Sequence, residues 1–295
     1  MSTGAIGSAP TALWEVQATL GEGVLFDAER QQVWFVDIKG KRLHSCAPDG
    51  SERRSWDAPG QVSFVVRASD GGLVVSLEDG LYRFNEDTGE FVHFVKVEAD
   101  RPANRFNDGF VDGEGRLWFG SMDDGESAPT GALYRFDGRG VGRMDDGIII
   151  TNGPAVSPDG RTLYHTDTLG KQVYAFDLAD DGSLSNKRLF ADITDGGHPD
   201  GMAVDAEGFV WIAVFGGWRI ERRDPTGRKV GEVRFPCANI TKLAFAGDDL
   251  RTVYVTTARK GLSPEELAGQ PLAGALFTFR TETPGLPANV LKLQK

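Results

Sequence analysis

Four polar side chains stand at nearly the same distance ahead of strongly β-forming segments in four separate parts of the chain. Each lies 10 or 11 residues before a segment such as VWF or LWF, and they are Glu22, Asn107, Asn152 and Asp200. Hard divalent cations prefer carboxylate and amide oxygens, so these residues predict a metal site wherever the fold brings them together. A site with few protein ligands keeps positions for water and substrate, which favours catalysis over structural binding. The alternative is that Asp and Asn ahead of a strand only cap turns.

Three other residues lie near these positions. Two of them could bind a ligand or have a structural role, and the third is expected to be structural. Arg105 could bind a polyhydroxy or anionic ligand, or it could form a surface ion pair with Asp100 or Asp108. His198 could contact substrate or be a solvated loop residue. His165 lies inside a predicted strand, where we expect a core histidine whose ring nitrogens have hydrogen-bond partners.

The segments that carry the four polar residues are part of a longer repeat. Six openings, LGEG, GQVSF, RFND, TNGP, HPDG and ANITK, each precede a β-forming segment, and those segments follow one another at intervals of 40, 44, 46, 47 and 43 residues. Further strand-like segments, separated by Asp- and Gly-rich turns, give four strands in each repeat. A period of about 40 to 50 residues with several strands indicates a propeller. The sequence therefore predicts an all-β fold, a six-bladed β-propeller of four-stranded antiparallel blades.

This topology predicts which residues share a face. The first strand of each blade lines the central channel, so all six openings are expected to lie at one mouth of it. In an antiparallel blade the connection between the second and third strands returns to the same face. The two longest of these connections, residues 122–131 and 258–274, are therefore expected to lie over the mouth, where binding surfaces are commonly found.

We expect one domain over residues 1–295, with about residues 1–11 disordered. The sixth repeat supplies three strands of its own, so a segment near one end of the chain is expected to complete the blade. Residues 14–18 (WEVQA) and 289–293 (NVLKL) both have strand-like patterns. We favour the N-terminal segment.

Composition and charge limit the classes of partner. The net charge is −11 at pH 7 and no basic run offsets it, which argues against binding to nucleic acid or to an anionic membrane. Cys46 and Cys237 have neither metal-site spacing nor the pattern of a disulfide framework. No signal peptide and no membrane-spanning apolar run is apparent, so we expect a cytoplasmic protein, and a monomer.

The ordered motifs resemble those of the SMP-30/gluconolactonase/regucalcin family. They are LGEG with WFVDIKG, RFNDG with GRLWFGSM, TNGP with SPDG, PDGM with DAEG and VWIAVFGG, and VTTARKGLS, and they extend over nearly the whole chain. The resemblance implies metal-dependent hydrolysis of a sugar-acid lactone. It also implies that Glu22, Asn152 and Asp200 bind one divalent cation and that Asp200 acts as the base. Calcium, zinc, manganese and iron(II) all bind oxygen ligands of this kind, so the metal stays open.

By the same resemblance Arg105 and Asn107 contact the substrate. The acidic substrate contact that follows GSM does not align with a single residue, and Asp123, Asp124 and Glu126 are all candidates. The opening LGEG usually continues with Pro in this family, whereas the present chain has Val24.

Four segments are similar in sequence to segments of bacterial pentonolactonases: FGSMDDGE, YHTDT, LSNKR and TTARKGLS. The expected substrate is therefore a xylono- or arabinono-lactone. Three alternatives remain open at this stage: a gluconolactonase, a regucalcin-like metal-binding protein without catalysis, and another metal-assisted ester hydrolase, such as one acting on phosphotriesters.

Overall fold

The structure is a computed structural model that describes residues 6–293. The first strand, β1 (Thr11–Trp14), precedes the repeats. The first repeat forms β2 (Gly21–Asp27), β3 (Gln32–Asp37), β4 (Arg42–Cys46) and β5 (Arg54–Asp57). The second forms β6 (Val65–Arg67), β7 (Leu73–Leu77), β8 (Gly80–Asn85) and β9 (Glu90–Lys96). The third forms β10 (Asn104–Val111), β11 (Leu117–Asp123), β12 (Gly131–Phe136) and β13 (Val141–Ile148).

The fourth repeat forms β14 (Thr151–Val156), β15 (Thr162–Asp167), β16 (Gln172–Leu178) and β17 (Leu184–Asp192). The fifth forms β18 (His198–Val204), β19 (Val210–Phe215), β20 (Arg219–Arg223) and β21 (Lys229–Arg234). The sixth forms β22 (Asn239–Ala246), β23 (Thr252–Ala258) and β24 (Leu276–Arg280), with one short helix, α1 (Pro264–Gly269), between the last two strands. Among the helices that the structure describes, none has the length and apolar character needed to cross a bilayer.

The strands of residues 6–293 form six antiparallel sheets of four strands each. Their innermost strands pack side by side in a closed ring, in the order β2, β6, β10, β14, β18, β22 and back to β2. The prediction of a six-bladed β-propeller is therefore confirmed. Burial follows the position of each strand in its blade: β2 is buried along its whole length, whereas the outermost strand β5 is largely exposed. Trp34, Trp118 and Trp211, at equivalent positions of second strands, are fully buried between blades.

The N-terminal segment completes the sixth blade, as favoured from the sequence. β1 pairs antiparallel with β24, with Thr11 opposite Thr278. The pairing strand is Thr11–Trp14, whereas the sequence pattern indicated residues 14–18. Residues nearer the N-terminus extend this contact, because the Ser8 amide donates to the Arg280 carbonyl oxygen at 2.7 Å. The expected disorder stays a prediction for residues 1–5, which lie outside the described residues.

The other candidate for closure, residues 289–293, has a different position. It belongs to a C-terminal tail, residues 284–293, that crosses the end of the channel opposite the openings. The tail contacts the inner hairpins of blades five and six through Pro284 and Gly285, and those of blades two and three through Leu291 and Lys292. Leu291 is fully buried. The tail closes one end of a largely apolar cavity of about 270 Å³ in the channel.

Candidate functional site

In five blades the pairing between the first and second strands shifts register close to the channel mouth. The register shifts lie between Glu22 and Leu25, Phe106 and Gly109, Asn152 and Ala155, Pro199 and Met202, and Ile240 and Lys242. A β-bulge bends its strand and changes the direction of neighbouring side chains. Five blades thus present polar side chains at the mouth, and several of them contact one another across blade boundaries.

The three candidate metal ligands are buried at this mouth. Glu22, Asn152 and Asp200 are 3–4% exposed. Burial raises the pKa of Glu22 well above its usual value, and repulsion from Asp200 and Asp108 raises it further. Burial, and then repulsion from Asp108, likewise raise the pKa of Asp200. Asp200 Oδ1 has no hydrogen-bond partner, although a buried carboxylate oxygen is costly when unpaired.

These features fit a divalent cation. A divalent cation would compensate the negative charges of Glu22 and Asp200, and it would give Asp200 Oδ1 a partner. Within residues 6–293 no group of three or more His, Cys, Asp or Glu side chains is arranged to hold a metal ion. The predicted donor set agrees with this, because one of its three members is the amide of Asn152.

The amide of Asn152 is held at both of its polar atoms. Its Nδ2 donates to Thr168 Oγ1 at 2.9 Å, and its Oδ1 accepts from Asn107 Nδ2 at 2.8 Å. A carbonyl oxygen has two lone pairs, so Oδ1 can accept this bond and still bind a cation. Thr168 Oγ1 in turn donates to the Pro199 carbonyl oxygen at 2.9 Å, next to Asp200. Thr168 therefore connects the candidate ligands of blades four and five.

Arg105 and Asn107 connect these ligands to the loop of blade three. Arg105 is 2% exposed, and its Nη1 donates to Asn107 Oδ1 at 2.7 Å and to the Phe106 carbonyl oxygen at 2.8 Å. Its Nε donates to Asp124 Oδ1 at 2.8 Å. The ion-pair partner of Arg105 is thus Asp124, and neither Asp100 nor Asp108, the two partners considered from the sequence.

The two long connections meet above the mouth, as their lengths and positions predicted. Lys260, which follows β23, forms an ion pair with Glu126 of the blade-three loop. Asp124 accepts hydrogen bonds from Lys39 Nζ at 2.5 Å and from Gln61 Nε2 at 3.3 Å, in addition to the bond from Arg105. The carboxylate of Asp124 is therefore surrounded by donors from blades one, two and three.

Asp123 has a different environment from Asp124. Its Oδ2 accepts hydrogen bonds from the amides of Ser127 and Ala128, both at 2.9 Å, and from the Ser127 hydroxyl. These bonds lower the pKa of Asp123 to about 2. Asp123 thus caps its own loop, whereas Asp124 and Glu126 contact cationic residues of the mouth.

Two residues of the site had not been identified as site residues from the sequence. Lys242 Nζ lies 2.6 Å from Asp108 Oδ2, and both side chains are buried beside Glu22 and Asp200. The signal was present, because Lys242 stands 11 residues before the VYV segment of its own repeat, the spacing that selected Glu22 and Asn152. Lysine carries no oxygen donor, so the pattern of oxygen-bearing residues that predicts the metal site does not include it.

The two histidines are not bonded to the candidate ligands. His198 lies half-buried on the rim, with Nδ1 3.2 Å from the Thr168 carbonyl oxygen. His165 is fully buried in β15, and neither ring nitrogen has a hydrogen-bond partner. The expectation that His165 is a satisfied core histidine is therefore wrong in its hydrogen bonding, although the residue is in the core.

Comparisons with known proteins point to the same family as the sequence motifs. Residues 20–259 match the model of the SMP-30/gluconolactonase/LRE-like region. The chain is 33% identical over 271 residues to a 6-deoxy-6-sulfogluconolactonase of Pseudomonas putida, a match covering 91% of this chain and 93% of that protein. It is 35% identical over 282 residues to an L-arabinolactonase of Azospirillum brasilense, with 94% and 93% covered. A solved structure of regucalcin, a calcium-binding protein of Agrobacterium tumefaciens, superimposes with a TM-score of 0.92 at 28% identity, covering 97% and 98%.

Proposed function

Since this chain belongs to the SMP-30/gluconolactonase/LRE-like family and is a lactonase, we propose that it hydrolyses an aldonolactone with the help of one divalent cation. The proposed ligands of the cation are Glu22, Asn152 and Asp200. The proposed substrates are xylono- and arabinono-lactone, and the product is the open aldonic acid. The observation that carries the metal-dependent part is the buried Asp200 carboxylate, whose Oδ1 has no partner beside a second buried carboxylate, Glu22.

The bound cation would polarise the lactone carbonyl and stabilise the negative charge that develops on its oxygen. Asp200 takes a proton from the water that attacks the carbonyl carbon. The ring carbon–oxygen bond then breaks, and the proton is transferred to the ring oxygen as it becomes a hydroxyl group. The carboxyl group of the product and a regenerated Asp200 complete the atom balance.

The neighbouring residues would orient the sugar. Arg105 and Asn107 form one wall between the candidate ligands and the blade-three loop, and both carry groups that bond hydroxyls. Asp124 lies at the end of this wall. A site built to bond a hydroxyl discriminates strongly against analogues that lack it, so these residues are the proposed source of substrate choice.

The substrate proposal has an alternative within the same reaction class. The similarity to an arabinolactonase supports a pentonolactone, and the similarity to a sulfogluconolactonase supports a hexonolactone. The similarity to regucalcin supports cation binding, and a regucalcin-like role without catalysis is the other alternative. We further propose that the protein acts in the cytoplasm, as a monomer, on a free small molecule rather than on nucleic acid or a membrane.

The test is acid release measured in a pH-stat, with xylono-, arabinono- and glucono-lactone and the phosphotriester paraoxon as substrates. Each assay is run with the metal-free protein and after loading with Ca²⁺, Zn²⁺, Mn²⁺ or Fe²⁺. We expect metal-dependent hydrolysis, fastest with a pentonolactone. Full activity in protein shown to be metal-free would remove the cation from the mechanism, and a preference for paraoxon would remove the lactone.

A further inference from the structure

Three carboxylates meet at the channel mouth, and one of them has a cationic partner. Asp108 accepts from Lys242 Nζ at 2.6 Å through Oδ2 and from the Gly109 amide at 2.7 Å through Oδ1. Glu22 accepts from the amide of Gly23 at 3.2 Å. Within residues 6–293 neither Glu22 nor Asp200 forms an ion pair. Asp108 is thus fully bonded, whereas Asp200 retains a free oxygen.

The four buried ionisable side chains, Glu22, Asp108, Asp200 and Lys242, do not balance one another in charge. When all four groups are ionised, the three carboxylates and the one ammonium have a net charge of −2. Outside this group, Arg105 and Lys39 share the carboxylate of Asp124, and Lys260 is paired with Glu126. One divalent cation would bring the group to neutrality, and buried charges are tolerated only when they are compensated in this way.

The path of the Lys242 side chain is specified by the packing around it. Lys242 follows the bulge of β22, and its stem passes over Gly201, where a Cβ atom would lie 2.4 Å from Lys242 Cδ. A side chain on residue 201 would therefore block the route to Asp108. The lysine is 6% exposed, so its ammonium interacts with Asp108 in a region with little water. Gly201 and Lys242 together fix where the positive charge lies.

We propose that Lys242 is a positioning residue that holds Asp108 outside the coordination shell of the cation. The inference rests on the proposed metal-dependent function and deepens it. With Asp108 engaged by Lys242, the protein contributes only Glu22, Asn152 and Asp200, and positions remain open for water and lactone. Without Lys242, Asp108 is a buried carboxylate with no cation of its own, and it binds the metal as a fourth protein ligand.

The test compares four metal-free proteins by titration calorimetry with Mn²⁺ alone. They are the wild type, Lys242→Met, Asp108→Asn and the double variant. Lys242→Met keeps the length of the side chain but removes its charge, so Mn²⁺ affinity rises about tenfold or more, because a charge at this distance in a poorly solvated site has a large effect. Asp108→Asn leaves Lys242 uncompensated, so affinity falls about tenfold or more. The double variant keeps the original net charge and lies between the two, close to the wild type.

Two further measurements separate this role from a structural one. Mn²⁺ in Lys242→Met has fewer exchangeable waters than in the wild type, as measured by water proton relaxation, and kcat falls although the metal is bound more tightly. The melting temperature of each metal-free protein reports folding. If Lys242→Met does not fold, Lys242→Arg, which keeps the charge, is compared with Asp108→Asn, and only the latter is expected to lose affinity.

An unchanged or weaker Mn²⁺ affinity in folded Lys242→Met would overturn the inference, as would equal affinity in Lys242→Arg and Asp108→Asn. These outcomes are distinct from failure of the proposed function, because no lactone is present in the titrations. If the Mn²⁺ affinities have the predicted ranking but no lactone is hydrolysed, the role of Lys242 is supported and the proposed function is contradicted. If lactone is hydrolysed but the affinities do not have that ranking, the proposed function is supported and the role of Lys242 is contradicted.

Discussion

Asn107 Nδ2 lies 2.8 Å from Asn152 Oδ1, so an amide of blade three is hydrogen-bonded to the proposed metal-binding atom of blade four. Asn107 also donates to the Thr151 carbonyl oxygen at 2.8 Å and accepts from Arg105. The residue proposed to contact substrate therefore also orients a residue proposed to bind metal. Because of this sharing, substitution of Asn107 would change both metal and substrate affinity.

Asp200→Asn tests the proposed base. The amide keeps an oxygen that can face the cation but cannot take a proton, so we expect hydrolysis to fall roughly a hundredfold or more, as for other positioned acid–base groups. Metal content is measured on the same samples, since an amide is a weaker ligand than a carboxylate. Near-normal turnover in the metal-loaded variant would exclude Asp200 as the base.

Thr168→Val tests the link between the ligands of blades four and five. The substitution keeps the shape of the side chain and removes the hydroxyl that bonds Asn152 Nδ2 and the Pro199 carbonyl oxygen. Loss of groups that orient metal ligands typically weakens metal binding about 10- to 100-fold, and we expect a loss of that order in a Mn²⁺ titration. Thr162→Val is the matched control, because Thr162 begins β15, the strand that Thr168 directly follows, and so lies at the end away from the mouth. Similar affinities in the two variants would show that Thr168 does not orient Asn152.

Asp124→Asn tests the source of substrate choice. Asp124 bonds Arg105, Lys39 and Gln61, whereas the adjacent Asp123 caps its own loop. We expect Asp124→Asn to change the ratios of kcat/KM among xylono-, arabinono- and glucono-lactone about tenfold, with Mn²⁺ affinity unchanged. Asp123→Asn is the control and should lower thermal stability more than it changes those ratios. If Asp123→Asn alone altered selectivity, Asp123 rather than Asp124 would be the source of substrate choice.

Buried His165 predicts a loss of stability in mild acid. Burial lowers its pKa from 6.5 to about 4, so the folded protein keeps the ring neutral where the unfolded chain already binds a proton. The free energy of unfolding therefore falls as the pH drops below about 6.5, by about 3 kcal/mol from this group when the pH reaches about 4. Urea unfolding of His165→Asn across this range should show a shallower pH dependence than the wild type. His93→Gln, at an exposed position on β9, should keep the dependence of the wild type; equal slopes for all three would contradict the prediction.

The sequence predicted the blades well because their determinants are local. The β-forming segments and the Asp- and Gly-rich turns lie within single repeats, and the repeats follow one another at nearly even intervals. The mouth was partly predictable, since Glu22, Asn152 and Asp200 lie at nearly the same distance, 10 or 11 residues, before their β-forming segments. The bulges that direct these side chains depend on pairing between strands and leave no clear pattern in the sequence.

The remaining differences arise from contacts between distant segments. Asp123 and Asp124 are identical in type and adjacent, and only the conformation of their loop gives one of them a capping role. The ion pair of Lys242 with Asp108 joins blade six to blade three. The position of residues 284–293 across the channel likewise depends on hairpins of four blades, and no single repeat specifies it.

The pairing of β1 with β24 also has a consequence for biosynthesis. Thr11 and Thr278 face each other in blade six, although nearly the whole chain separates them. On a translating ribosome, β1 emerges first and has no partner until β24 emerges, so the ring cannot close before β24 has been synthesised. Such long-range pairing folds slowly and leaves two strand edges open in the meantime. Until closure, β24 presents an unpaired edge to which a strand of another nascent chain can add, so the N-terminal strand protects the protein from association with its own copies.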